Sequence, residues 1–320
     1  NDYALDRWKK EQNNDGAATA SQSTTSPDGL SNSFKLDITT ADTSITGSQY
    51  AEIYQYIEAQ NLQRLAYGTS SAKSCTLSFW VRSNKTGNYG VTLQQNDNSS
   101  KQLVLQYTIN SADTWERKTL SIPGDTSGVI NNDNGRGLTI FFLQAAGPSL
   151  TSGALRSTWT AYSSGDFGKG QEVNLYDSTS NEWYLTGVQL EVGDTATDFE
   201  HQSYTNELKE CERYFQVLGS GNATYVMMAT FYSSTAITAI TQLRTVMRDT
   251  PALVQDTGSA YYKIYADSTG HEFSGFDSIT SPSKYSLGLY ESGQMSESVG
   301  YSGGLYTNSS GSYLAASAEL

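Results

Sequence analysis

The stretch Trp183–Phe215, WYLTGVQLEVGDTATDFEHQSYTNELKECERYF, changes period halfway along. Tyr184, Thr186, Val188 and Leu190 alternate with Leu185, Gly187, Gln189 and Glu191, which predicts a half-buried strand ended by Gly193-Asp194. From Thr205, which can N-cap, the spacing turns helical: Leu208, Cys211, Arg213-Tyr214 and Phe215 lay an apolar stripe along one side. A long strand therefore closes one unit, a linker crosses over, and a short helix opens the next.

Upstream of this stretch the period is two almost throughout. Phe34, Leu36 and Ile38 alternate with Lys35 and Asp37; Leu77, Phe79 and Val81 oppose Ser78, Trp80 and Arg82. Ile53 and Ile57 face one way, Tyr54 and Tyr56 the other. Leu138 to Gln144 is nearly all apolar, as a central strand would be. Asn61 to Ala66 fits one helical turn. Long polar loops are expected over 125–137 and over 145–174, the second carrying Trp159, Tyr162 and Phe167. Trp115 and Trp183 begin strands and read as edge-packing residues. Among the polar residues before Gly29, the LDRW run would pin a first strand to the edge of the sandwich.

Many short strands between Gly, Ser, Thr and Asn predict an all-β chain: a jelly-roll sandwich, a short helix, then a second, smaller β-sandwich. The boundaries implied are 1–200, 201–217 for crossover and helix, and 218–320. In the last part, strands are expected at 225–232 and 236–246 and in short runs to Leu314.

The 320 residues include 28 Gly and 22 Tyr, and only 17% are charged. The net charge of −13 gives nucleic acid no basic stripe to bind, and fits solubility in a salty medium. No apolar run approaches the ~20 residues that span a bilayer, so membrane insertion is not expected. The chain starts without Met, so an earlier segment is expected. Cys75 and Cys211, the two cysteines, read as small buried apolar residues of a protein assembled in a reducing cytoplasm.

Four stretches carry a resemblance, one of them made of three runs. TGVQLEVG, ATDFE and ELKECERYF, together with YALDRW from Tyr3, KSCTLSFWVRSNKTG from Lys73 and ADTWERKTLSIPGDTSG from Ala112, stand in the order found in a module of phage tail-fibre and other virion structural proteins. They cover about the first two-thirds of the chain. Asp198 departs from the pattern, which has Pro there, and loosens the crossover. The resemblance implies a jelly roll similar to carbohydrate-binding modules, in a virion, with other virion proteins as partners and a homotrimeric assembly. The ending SYLAASAEL more loosely resembles the terminal knob of phage fibres.

Chemistry is sparsely signalled. His201 and His271 have no spaced partners, and HExxH, CxxC and GxSxG are absent, so no catalytic residue and no metal ligand is assigned. A polysaccharide hydrolase would need two carboxylates about 5–10 Å apart, and spacing picks no pair out of 33. No cofactor is expected, although Asp125, Asp133 and the 131–134 loop have the oxygens for a structural Ca²⁺.

The aromatic signal is stronger. If the strands holding Tyr54, Tyr56 and Trp80 share a sheet, their rings line its outer, concave face beside Arg82; Trp159, with Tyr162 in the same loop, either caps a cleft or anchors that loop. Flat rings with polar neighbours suit a glycan. Packing under a loop and contact between subunits are the other uses open to Trp80. The C-terminal tyrosines, Tyr261 to Tyr313 among Ser and Gly, have the composition of a binding surface or a subunit interface. The expected function is attachment to host-surface glycans by a non-enzymatic tail fibre or related appendage. A capsid decoration protein or fibre with a purely structural role is the alternative, and a surface-polysaccharide hydrolase the second.

Overall fold

A computed structural model of the chain describes residues 2–5, 7–97 and 100–320, with the side chains of residues 2 and 3 also outside the described set. Of the Tyr3–Trp8 piece, the Tyr3 side chain and residue 6 therefore lie outside the described residues. The chain divides into two compact units, Asn1–His201 and Gln202–Leu320.

The first unit holds β1 (Asp2–Leu5), β2 (Trp8–Gln12), β3 (Ala17–Ser23), β4 (Ser33–Thr40), β5 (Tyr50–Glu58) and β6 (Cys75–Ser83). There follow β7 (Gly87–Gln95), β8 (Lys101–Ile109), β9 (Glu116–Ile122), β10 (Arg136–Ala146), β11 (Arg156–Thr160), the one-turn helix α1 (Ser164–Phe167) and β12 (Glu182–Val192), with 3-10 turns at Ala59–Leu65, where the sequence predicts a helical turn, and at Leu175–Asp177. They form a seven-stranded antiparallel sheet, β1-β2-β5-β10-β7-β8-β11, and a five-stranded one, β3-β4-β12-β6-β9. Most neighbours are not consecutive in sequence, as in a jelly roll.

The inward faces follow the alternation. Ile53, Val91, Leu93, Ile140 and Phe142 from one sheet meet Leu36, Leu77, Phe79, Val81 and Leu185 from the other, all buried. Each such side chain contributes about 1.5–3 kcal/mol through its buried area. Phe79 lies edge-on to both Phe142 (5.0 Å) and Tyr107 (5.1 Å). Trp183 is not an edge residue: it is 0% exposed at the centre, and its indole N–H donates to the Tyr107 hydroxyl at 3.1 Å.

The alternation of β12 breaks once. Trp183 and Leu185 point into the core, but so do Val188 and Leu190. Between Thr186 and Gln189 the register with β6 shifts, so that Gly187 and Val188 oppose Phe79 alone. Gly187 sits at φ +58, the left-handed conformation of a glycine bulge, and it flips the strand's phase. The period-two reading, with Tyr184, Thr186, Val188 and Leu190 on one face, fails at this glycine.

The second unit opens with α2 (Tyr204–Glu212), capped by Ser203, not Thr205: the Asn206 N–H bonds the Ser203 side chain. None of its residues is buried, and Leu208 is 42% exposed, so the expected stripe buries little within the unit. Phe215 already belongs to β13 (Phe215–Ser233). Then come β14 (Ala236–Gln242), β15 (Ala252–Gln255), β16 (Tyr262–Ala266), β17 (Thr269–Phe273), β18 (Ser278–Thr280), β19 (Ser286–Ser292) and β20 (Ser302–Ser317). One eight-stranded sheet, β17-β16-β20-β13-β14-β19-β18 with β15 also on β20, curls until β15 lies beside β18. Phe231, Ile237, Tyr262, Ile264, Leu289 and Leu305 fill the enclosed face.

Candidate functional site

The rings expected to share one face are divided by the topology. Tyr54 and Tyr56 lie on β5 in the seven-stranded sheet, Trp80 and Arg82 on β6 in the five-stranded sheet, so they occupy opposite outer surfaces of the sandwich. The phase of each strand is as expected; the shared sheet is not, because β5 pairs with β2 and β10 while β6 pairs with β9 and β12.

Around Trp80 the contacts are those of packing. A Cβ on Gly187 would stand 3.2 Å from Trp80 Cδ1, 3.0 Å from Leu30 Cδ1 and 3.8 Å from Phe199 Cδ2, so these three side chains gather over the bare backbone of the bulge. Phe199 is held there by Gln189, whose Nε2 donates to the Asp198 carbonyl (3.3 Å) and whose Oε1 accepts from the Glu200 N–H (2.8 Å). Glu191 accepts from the Thr197 N–H, and Arg117 reaches the Thr197 carbonyl. The VQLE and ATDFE pieces are thus one clasp. Arg82 is spent on Asp113 (2.8 Å) and stacks 5.0 Å from the Tyr184 ring. Trp159, on β11, packs toward the core, edge-on to Tyr67 at 6.0 Å, and donates to the Pro123 carbonyl at 2.8 Å.

The outer face of the seven-stranded sheet is chemically richer. On β5, alternation sends Tyr50, Glu52, Tyr54 and Tyr56 away from the core. Cross-strand, Glu52 faces Glu11 of β2 and Leu143 of β10; Tyr54 lies between Lys9 and Phe141; Tyr56 is beside Thr139. Segment 147–174 closes down on the far half of this face. Phe167 stands 5.2 Å from Phe141, its carbonyl accepts from Thr92 Oγ1, and Gln171 Oε1 accepts from the Gly90 N–H. Tyr162 ends the covered part, 47% exposed and 6.5 Å from Phe167.

Tyr54 is only 3% exposed, pressed between Tyr56 and Phe141, both at 5.3 Å, and its hydroxyl donates to Glu11 Oε2 at 3.1 Å. It is the floor of the strip rather than a platform. Tyr50 donates to Glu11 Oε1 at 2.7 Å. The accessible rings are the half-buried Tyr50 and Tyr56 and the exposed Tyr162. Glu52 is 5% exposed, and its Oε2 has no hydrogen-bond partner among the described residues. Burial, with the Glu11 charge beside it, pushes the Glu52 carboxyl well above the usual range. Gln102 Oε1, behind the covering segment, is likewise buried without a partner. Glu11, Glu52 and Tyr50 carry no signal of their own in the sequence, although Glu52 follows from the alternation that turned Tyr54 outward; Tyr162 is expected in the long loop beside Trp159.

The Asp125 carboxylate serves another cation. It accepts from the Lys101 ammonium at 2.8 and 2.9 Å, from Gln95 Nε2 at 3.0 Å and from Ser127. Asp133 accepts the Gly135 N–H at 2.8 Å, and the Asn131 side chain is taken by Asp97. Cys75 is buried and its thiol is pushed up to about 11 by that burial. Cys211 is half-buried rather than buried. His271 Nε2 lies 3.2 Å from Glu297 Oε2.

No protein-family model matches the chain, and no curated protein matches it. Among solved structures it is similar to the enzymatically active domain of tailspike protein 4 of bacteriophage CBA120, at 14% identity and a TM-score of 0.33. That likeness covers 58% of this chain and only 19% of the tailspike chain, a small part of its length. It is also similar to a family 11 carbohydrate-binding module of a Clostridium thermocellum cellulase, at 13% identity and TM-score 0.33, over 62% of this chain and 91% of that one. A family 4 carbohydrate-binding module aligns at 18% identity and TM-score 0.32, over 59% and 88%. These identities and scores are too low to carry residue roles across.

Proposed function

We propose that the chain is a non-enzymatic part of a phage virion, a tail fibre or related appendage, and that it attaches to host-surface glycans through its first unit. The virion reading draws on the ordered sequence pieces that resemble phage structural proteins. The glycan reading is carried by one observation: the strip along β5, where accessible tyrosine rings border two carboxyl groups, one with an unpartnered oxygen. Rings offer flat area to sugar C–H faces, and carboxyl groups bind paired hydroxyls. A single shallow strip binds weakly. A trimer, and many trimers on a particle, would raise the avidity by roughly two to four orders of magnitude.

The test is a glycan array probed with the intact chain, its Tyr56→Ala variant and its Trp80→Ala variant. Binding that is lost with Tyr56→Ala and kept by Trp80→Ala supports the reading. An array without hits favours the purely structural role, as a decoration protein or passive fibre. The hydrolase reading draws on Glu11 and Glu52 standing opposite each other. It predicts released sugar that disappears with Glu11→Gln, whereas binding without product speaks for attachment alone.

A further inference from the structure

The chain has 20 Lys and Arg against 33 Asp and Glu, yet two cationic side chains lie over one ring of the strip and a third bonds the backbone of the same residue. The Arg136 guanidinium carbon lies 4.0 Å from the centroid of Tyr56, and the Lys9 ammonium 5.5 Å from it. Arg7 Nη2 donates to the Tyr56 carbonyl at 2.8 Å. Arg136 is exposed and makes no ion pair among the described residues. Glu58, the cross-strand partner of Arg136, is fully buried, and its Oε2 accepts from Gln60 Nε2. Glu11 and Glu52 lie at the other end of the strip, with Glu11 holding the hydroxyls of Tyr50 and Tyr54. The accessible groups of the strip are therefore polarised, Arg136 and Lys9 at Tyr56 and Glu11 at Tyr50.

We propose that the Tyr56 end is an anion subsite and that the ligand of this face is an acidic glycan, bearing carboxylate or sulfate groups. This rests on reading the face as a glycan contact. A guanidinium already stacked on a ring keeps its in-plane N–H fork free for a bidentate oxyanion and loses little entropy in binding it. The carboxyl end then takes neutral hydroxyls of the next sugar, which fixes the direction of the chain. Because the protein as a whole is acidic, attraction acts only locally and is screened by salt.

The experiment is isothermal titration of the intact chain with three probes: an oligogalacturonate, a sulfated galactan oligosaccharide and a neutral galactan oligosaccharide. The expected result is that at least one acidic probe binds about tenfold or more tighter than the neutral one. That binding should weaken as salt rises from about 50 to 500 mM. It should fall about tenfold in Arg136→Gln and less in Arg136→Lys. Carboxylate and sulfate are separated by which acidic probe binds. If the neutral probe binds as tightly and Tyr56→Ala abolishes it, the anion subsite is overturned while the glycan face stands. Acidic binding that Arg136→Gln leaves unchanged overturns the subsite too. If no probe binds and the array is also blank, both fall together.

Discussion

Glu11 and Glu52 are direct cross-strand neighbours on the outer face of one sheet, yet Glu11 collects two tyrosine hydroxyls while Glu52 keeps an oxygen without a partner among the described residues. Like charges placed opposite each other are unfavourable, and a buried carboxylate more so. Burial and the Glu11 charge both raise the Glu52 carboxyl above its unfolded value. The folded state therefore holds this proton more tightly, and Glu52 opposes folding increasingly as pH rises above about 4.5. Glu52→Gln removes that dependence. Thermal unfolding should show the variant gaining stability over the native chain by more at pH 8 than at pH 4, each kcal/mol appearing as roughly 2–4 °C. Equal differences at both pH values would refute it.

Glu116 behaves in the opposite sense. Burial alone would raise it, but the Lys118 ammonium, the Ser111 and Asn110 N–H groups and the Asn110 amide outweigh that and hold it at about 2. Its stabilisation is present above the unfolded value near 4.5 and is lost as pH falls toward about 2. Glu116→Gln should cost about 1–3 kcal/mol in urea unfolding at pH 7, a penalty that shrinks across that window.

Gly187→Ala places a side chain at φ +58, within 3.0 Å of Leu30 and 3.2 Å of Trp80. The backbone cost alone is about 1–2 kcal/mol. Denaturant titration should show at least that loss, since the Phe199 packing yields with it.

Gln189→Ala removes both bonds to the Asp198–Glu200 segment. Limited proteolysis should then cut between Gly193 and Ser203 several-fold faster, while the glycan binding proposed for the seven-stranded sheet is unaffected. An unchanged cleavage rate would mean that Phe199 and the Thr197 contacts hold the clasp unaided.

Much of the first unit could be read from residue alternation. Leu77, Phe79 and Val81, or Ile53 opposite Tyr54, declare their faces locally, because a strand's inside and outside are written every second residue. Which strands share a sheet is not written there. β5 meets β10 some eighty positions later in the chain, so the Tyr54–Trp80 face was assembled from two true halves that the topology keeps apart. Gly187 escaped because the apolar residues continue through the bulge. β3, β17 and β18 escaped because they are short or polar. Arg136 could not be foreseen beside Tyr56, since only pairing of β10 with β5 brings it there.

In the second unit β13 and β20 lie side by side at the middle of the sheet, with Phe215 opposite Ser317. Without β20 the unit therefore has no centre, and its strand edges stay open. A chain cut short before Ser302 cannot close this sheet, and the order of the whole unit hangs on a strand that joins it only after every other strand has been made.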